Sequence, residues 1–145
     1  MLYLDTCVLL AVLTPEVHTP VATQALAKAP STPAISPWTT TELHSALGLK
    51  VRTGALNTSQ ADAVLEAYQH TLAPALLMLM LDIEERDFRH ADACLRSWPA
   101  GLRAADALHL AIAAGRGATL CSLDARFVGA AKGLGLPAQL LTSPA

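Results

Sequence analysis

Aromatic side chains are scarce in this sequence, with two each of Trp, Tyr and Phe in 145 residues. That excludes an aromatic platform of the kind on which single-stranded bases stack. Charge is scarce too: 15% of residues are Asp, Glu, Lys or Arg, 52% are hydrophobic, and the formal net charge is −2. No global basic field advertises a nucleic-acid partner, which leaves a local basic rim as the way to hold one. Long apolar runs are missing as well. The run Ala75 to Leu81 is seven residues, against the roughly 20 that a membrane-spanning helix needs. The opening MLYLDTCVLL lacks a basic segment and meets Asp5 almost at once, unlike a secretory signal. Three cysteines (Cys7, Cys94, Cys121) form no CxxC spacing and stand near no paired histidines. They read as small hydrophobes in a reducing compartment, not as a zinc site or a disulfide frame. The expectation is one soluble, cytoplasmic domain over residues 1–145, with no membrane partner, burying roughly 68–70% of its unfolded surface.

What is present alternates. Leu2–Leu4 reads as a strand feeding a turn at Asp5, and Val8–Leu13 as a short helix closed by Thr14-Pro15. His18–Lys28 has Ala and Leu at helical spacing, and Ala34–Ser36 is a second short strand stopped by Pro37. Thr39, Thr40 and Thr41 offer N-caps for a helix running to Gly54, and Thr58 or Ser59 caps another that ends before Pro74. Ala75–Leu81 reads as a buried third strand, followed by an amphipathic helix over DIEERDFRHADACLRS. A helix over Leu102–Gly115, a strand over Ala118–Leu123, a short helix over Asp124–Lys132 and an edge strand over Ala138–Leu141 complete the pattern. Ser143–Ala145 reads as a frayed tail. Short apolar strands alternating with helices imply an α/β fold, a mostly parallel sheet of about five strands flanked by helices on both faces. Ligands of such sheets sit beyond the carboxyl ends of the strands, where Asp5 and Asp124 fall.

Four acids stand in apolar or small contexts: Asp5 in YLDTCVLL, Glu42 in TTTELHSAL, Asp106 in RAADALHLA and Asp124 in CSLDARF. Each has an ordinary structural explanation. Asp5 and Asp124 could cap the helices that follow them, the latter with help from Ser122. Glu42 could lie in the first turn of its helix, where the dipole favours an anion. Asp106 could do the same or pair with Arg103. His109, one turn further on, reads as a half-buried helix residue. Together the four acids fit one cleft at the carboxyl edge of the sheet. Carboxylates gathered there repel one another unless a cation is present, and hard oxygen ligands suit Mg²⁺ or Mn²⁺. An ion so placed can generate hydroxide and stabilise an in-line attack on phosphorus. The sequence offers no convincing nucleophile–base pair for another route. An aspartyl-phosphate enzyme with Asp5 as nucleophile would want a second Asp two residues later, where Cys7 stands.

In these residues the chain resembles the PIN-domain family, and within it the VapC-type toxins of toxin–antitoxin pairs. LYLDTCVLLAVL is similar to the family's strand ending in Asp-Thr or Asp-Ser. ISPWTTTELHSALGLKVRTGAL resembles the segment presenting the acidic helix residue, and LRAADALHLAIAAGRGATLCSLDARF the third and fourth acidic motifs. The resemblance spans nearly the whole chain and implies a single PIN-like domain acting as a Mg²⁺- or Mn²⁺-dependent endoribonuclease. Its site would be Asp5, Glu42, Asp106 and Asp124, catalytic and metal-binding together. Thr6 would help to orient the first acid. Ser122 stands where the family more often has Thr, supporting the site through its hydroxyl. The resemblance also implies a homodimer silenced by a small VapB-like antitoxin. RNA phosphates would need positive charge, for which Arg103, Arg126, Lys50 and Arg52 are the candidates. Two alternatives share the fold: a non-catalytic module binding RNA or a protein, and an RNA-processing nuclease outside toxin–antitoxin systems.

Overall fold

The computed structural model describes residues 1–99 and 101–142; the tail over 143–145 lies outside the described residues. Five strands form one sheet: β1 (Leu2–Leu4), β2 (Ala34–Ile35), β3 (Leu79–Met80), β4 (Thr119–Ser122) and β5 (Ala138–Leu140). Their order is β3-β2-β1-β4-β5, and every pairing is parallel. The chain builds outward from β1 to one edge, then crosses back to lay β4 on the other side of β1. The carboxyl ends of β1 and β4 therefore flank the point where strand order reverses, which is where open parallel sheets form their ligand crevice.

The helices are α1 (Thr6–Leu13), α2 (Thr19–Ala27), α3 (Pro37–Arg52), α4 (Thr58–Ala67), the three-residue α5 (Ala73–Ala75), α6 (Glu85–Arg96), α7 (Ala104–Gly115) and α8 (Ala125–Gly133). Strand alternation assigns them to faces. Leu4, Ile35 and Cys121 join an apolar cluster with Val8 and Leu9 of α1, Val21 of α2 and Leu43 of α3. Tyr3, Ala34 and Leu120 point to the other side, among Leu108 and Ile112 of α7 and Phe127 of α8. Each large side chain so buried contributes about 1.5–3 kcal/mol. Helix α7 is buried without interruption from Ala107 to Ala113, because α6 covers its outer side through Ala91 against Ala107 and Ala111. Small residues there let the two helices approach closely. An almost entirely apolar helix follows from that double cover.

Several boundaries differ from the sequence reading. Helix α3 begins at Pro37, with Ser36 as its N-cap and not Thr39–Thr41. Proline pre-sets the helical φ at a first position, so Pro37 starts the helix as well as ending the strand. Thr40 and Thr41 instead return their hydroxyls to the Pro37 carbonyl. Asn57, not Thr58 or Ser59, caps α4: its Oδ1 accepts from the Gln60 N–H at 2.8 Å. The helix also passes Pro74, because a π-helical turn over Tyr68–Leu72 shifts the hydrogen bonding just ahead of it. The expected buried strand over Ala75–Leu81 shrinks to Leu79–Met80, half-exposed at 47% and 50%. It sits at the sheet edge with one neighbour, so hydrophobicity alone overstated its burial.

Candidate metal centre

Asp5 continues the line of β1. Its N–H donates to the Cys121 carbonyl at 3.0 Å, which ties it to β4. Its carboxylate does not cap α1. Oδ2 instead accepts from the Ser122 hydroxyl at 2.5 Å and from the Cys7 thiol at 3.0 Å. Ser122 is fully buried, and its oxygen also accepts from the Asp124 N–H at 3.0 Å. One hydroxyl thus connects two of the sequence-selected acids. Cys7 is the cysteine that departs from the hydrophobe expectation. Burial, then the adjacent Asp5 charge, pushes its thiol far up, so it acts here as a neutral donor.

Glu42 is the sixth residue of α3, beyond the first turn, so the dipole explanation does not apply. Its Oε2 accepts from the Thr6 hydroxyl at 2.7 Å and lies 2.6 Å from His109 Nε2. Thr6 therefore orients Glu42, whereas the resemblance had assigned it to the first acid. Burial alone would raise the Glu42 carboxyl, but the His109 hydrogen bond and charge and the Thr6 hydroxyl outweigh it and hold it below the ordinary value.

His109 is the functional residue that sequence reasoning passed over. It is 1% exposed, not half-buried. Its Nε2 lies 3.9 Å from Asp5 Oδ1, and its Nδ1 lies 2.9 Å from the Tyr3 hydroxyl. Asp5, Glu42 and His109 each offer one ligand atom within 4.8 Å of the others. The available signal was its place one turn from Asp106 on a helix otherwise built of Ala, Leu and Ile.

Asp106 and Asp124 are not members of that tight group. Asp106, half-buried, accepts from the Arg103 N–H at 3.3 Å. Burial pushes its carboxyl up, and the negative charges of Asp5 and Asp124 add to this against the Arg103 contributions. Asp124 is exposed and caps α8, its Oδ1 accepting from the N–H groups of Arg126 at 2.8 Å and Phe127 at 3.2 Å. The ordinary explanations thus hold for Asp124 as a cap and for Asp106 as a first-turn acid, and fail for Asp5 as a cap and for Glu42 as a first-turn acid. Among the basic candidates, Arg103 and Arg126 adjoin Asp106 and Asp124, are exposed, and make no ion pair among the described residues. Lys50 and Arg52 lie in the last turn of α3. Eight residues of helix, roughly 12 Å, separate Lys50 from Glu42, so the fold does not bring these two to the acids.

The donor set is rich in hard oxygen and suits a divalent cation of the Mg²⁺ or Mn²⁺ kind. The Asp106 carboxyl is raised first by burial and then by the charges of Asp5 and Asp124, and a cation among these acids would relieve the charge part.

Residues 2–133 match the PIN domain family, and the chain belongs to that family. Among solved structures the fold is similar to FitAcB from Neisseria gonorrhoeae, with a TM-score of 0.70 at 20% identity, covering 95% of this chain and 96% of that one. It is also similar to VapC20 of Mycobacterium tuberculosis, a toxin that cleaves the sarcin–ricin loop, with a TM-score of 0.68 at 15% identity and coverage of 99% and 100%. A third is VapBC2 from Rickettsia felis bound to a promoter DNA fragment, with a TM-score of 0.67 at 16% identity and coverage of 98% and 100%. No curated protein matches the sequence. No helix among the described residues is long and apolar enough to cross a membrane.

Proposed function

We propose that this protein is a metal-dependent endoribonuclease and the toxin of a VapBC-type toxin–antitoxin pair. The observation that carries the reading is the convergence of Asp5, Glu42 and His109, with Asp106 electrostatically coupled to Asp5 and Asp124, at the switch point between β1 and β4. Asp5, Glu42, Asp106 and Asp124 would hold Mg²⁺ or Mn²⁺. When bound, the ion supplies a water of lowered pKa and neutralises charge on the attacked phosphate. The protein's own part is positional. Ser122 and Cys7 fix Asp5, Thr6 and His109 fix Glu42, and the Arg103 N–H steadies Asp106. Arg103 and Arg126 give the acidic cleft a basic rim on which an RNA backbone can be held. A cognate VapB-like antitoxin, a homodimer and a cytoplasmic location belong to the same proposal. Support for the antitoxin comes from the similar fold found in a toxin–antitoxin complex from Klebsiella pneumoniae.

The test is cleavage of RNA by the purified protein with Mg²⁺ or Mn²⁺, compared with EDTA and with Asp5→Asn. Metal-dependent cleavage that Asp5→Asn abolishes while the circular dichroism spectrum stays unchanged is the expected result. Cleavage indifferent to EDTA and to Asp5→Asn would overturn the proposal. Metal and RNA binding without cleavage would point to the non-catalytic module.

A further inference from the structure

A chain of buried polar groups runs from the sheet into the cleft. Tyr3, Ser36 and Thr39 are completely buried and His109 almost so. The Tyr3 hydroxyl lies 2.6 Å from Ser36 Oγ, 3.3 Å from Thr39 Oγ1 and 2.9 Å from His109 Nδ1. The Ser36 N–H donates to Thr39 Oγ1 at 3.2 Å, fixing the far end. Among the described residues Trp38 Nε1 is the buried side-chain polar atom without a partner, and it lies outside this network, whose own members are all bonded. Buried polar networks are stable only when complete, and when complete they are rigid.

The terminus of the network is Glu42. An ionised carboxylate only accepts hydrogen bonds, so His109 Nε2 carries the proton it shares with Oε2, whichever charge the ring bears. Nδ1 then meets a tyrosine hydroxyl that can give or take a proton. Thr6 donates to the same oxygen, Oε2, and among the described hydrogen bonds Oε1 accepts none. A ring nitrogen whose proton points at Oε2 has no free lone pair there for an ion, and the other ring nitrogen faces the Tyr3 hydroxyl.

We infer that His109, held by Tyr3, is a positioning residue that anchors Glu42 through Oε2 and reserves Oε1 for the cation, and is not itself a metal ligand. This rests on the divalent-cation reading given above. Partners that orient a ligating carboxylate change metal affinity by about 10–100-fold when removed.

The experiment is Mn²⁺ binding by calorimetry and pulsed EPR on the intact protein and on His109→Gln, His109→Asn and Tyr3→Phe. The Gln amide nitrogen sits about where Nε2 does and keeps the donor, whereas the shorter Asn does not reach Glu42. Expected are no directly bonded ¹⁴N coupling to Mn²⁺ in the unaltered protein and a weakening of about 10–100-fold in His109→Asn. His109→Gln should recover most of that loss, and Tyr3→Phe should weaken binding less than His109→Asn. A directly bonded nitrogen, unchanged affinity in His109→Asn, or no recovery in His109→Gln would each overturn the inference. The ¹⁴N measurement needs no variant to fold. Failure of the unaltered protein to bind Mn²⁺ would overturn the metal reading and this inference with it, whereas binding with a bonded nitrogen overturns this inference alone.

Discussion

His109 Nε2 and Glu42 Oε2 lie 2.6 Å apart although 67 positions separate them in the chain. One residue belongs to α7 and the other to α3, and β1 supplies the tyrosine that holds the histidine. The cleft is therefore assembled from segments distant in sequence, joined through shared packing and shared partners such as Ser122.

Ser122→Ala removes the donor to Asp5 and the acceptor for the Asp124 N–H. Mn²⁺ affinity should fall by about 10–100-fold. Ser122→Thr keeps the hydroxyl and should retain binding. Its extra methyl enters a fully buried position, so the melting temperature should drop, consistent with an overpacking cost of about 1–3 kcal/mol. Calorimetric titration and thermal unfolding measure the two effects separately.

Asp106→Asn relieves a carboxylate that burial and the charges of Asp5 and Asp124 disfavour. An acid whose folded pKa is raised destabilises the fold once ionised, and the penalty fades as pH falls through that raised value. At neutral pH the metal-free variant should melt higher than the parent, while binding Mn²⁺ about 10-fold or more weakly. A lower melting temperature without metal would return Asp106 to a capping role.

Asp124→Asn separates capping from charge. Asn caps helices about as well as Asp, whereas Ala costs about 1 kcal/mol. Urea unfolding should leave Asp124→Asn close to the parent and Asp124→Ala lower by about that amount. RNA cleavage should be lost in both. Cleavage preserved in Asp124→Asn would remove this residue from the catalytic set.

Asp87 gives the pH dependence of stability. It is 2% exposed and pairs with Arg116, while its Oδ2 accepts from the Glu84 N–H at 2.8 Å. Burial would raise its carboxyl, but the Arg116 hydrogen bond and charge, with Glu84 and Arg86, hold it below the ordinary value. Its folded pKa lies below the unfolded one, so its contribution is complete above an unfolded pKa of about 3.9 and is lost as pH falls through the folded value. Asp87→Asn should cost about 3 kcal/mol at pH 7, as removal of one partner from a buried pair does. That gap should narrow below about pH 4 in urea titrations at each pH. A gap that stays constant with pH would show that the pair contributes nothing electrostatic.

The parallel sheet and the strand-end positions of Asp5 and Asp124 were legible because short apolar runs that stop at an acid leave few other readings. The exposure of β3 was not: seven apolar residues look alike whether a sheet covers them or ends with them. Pro37 shows the same limit, since a proline that closes a strand and one that opens a helix are the same letter. His109 stayed hidden for a different reason. A lone histidine on an apolar helix is legible as buried, but its partners Tyr3 and Glu42 come from distant segments that only folding brings together. The Thr6 contact with Glu42 likewise depends on how α1 and α3 pack.

Asp5 hangs from the central strand by its own amide, bonded to Cys121 across to β4, with β2 on the other side of β1. Amides in such a place exchange their hydrogens only when the molecule opens globally, whereas the edge strand β3 frays far more cheaply. The acid at the root of the cleft is thus carried by one of the last parts of the protein to melt, and local breathing at the periphery leaves it in place.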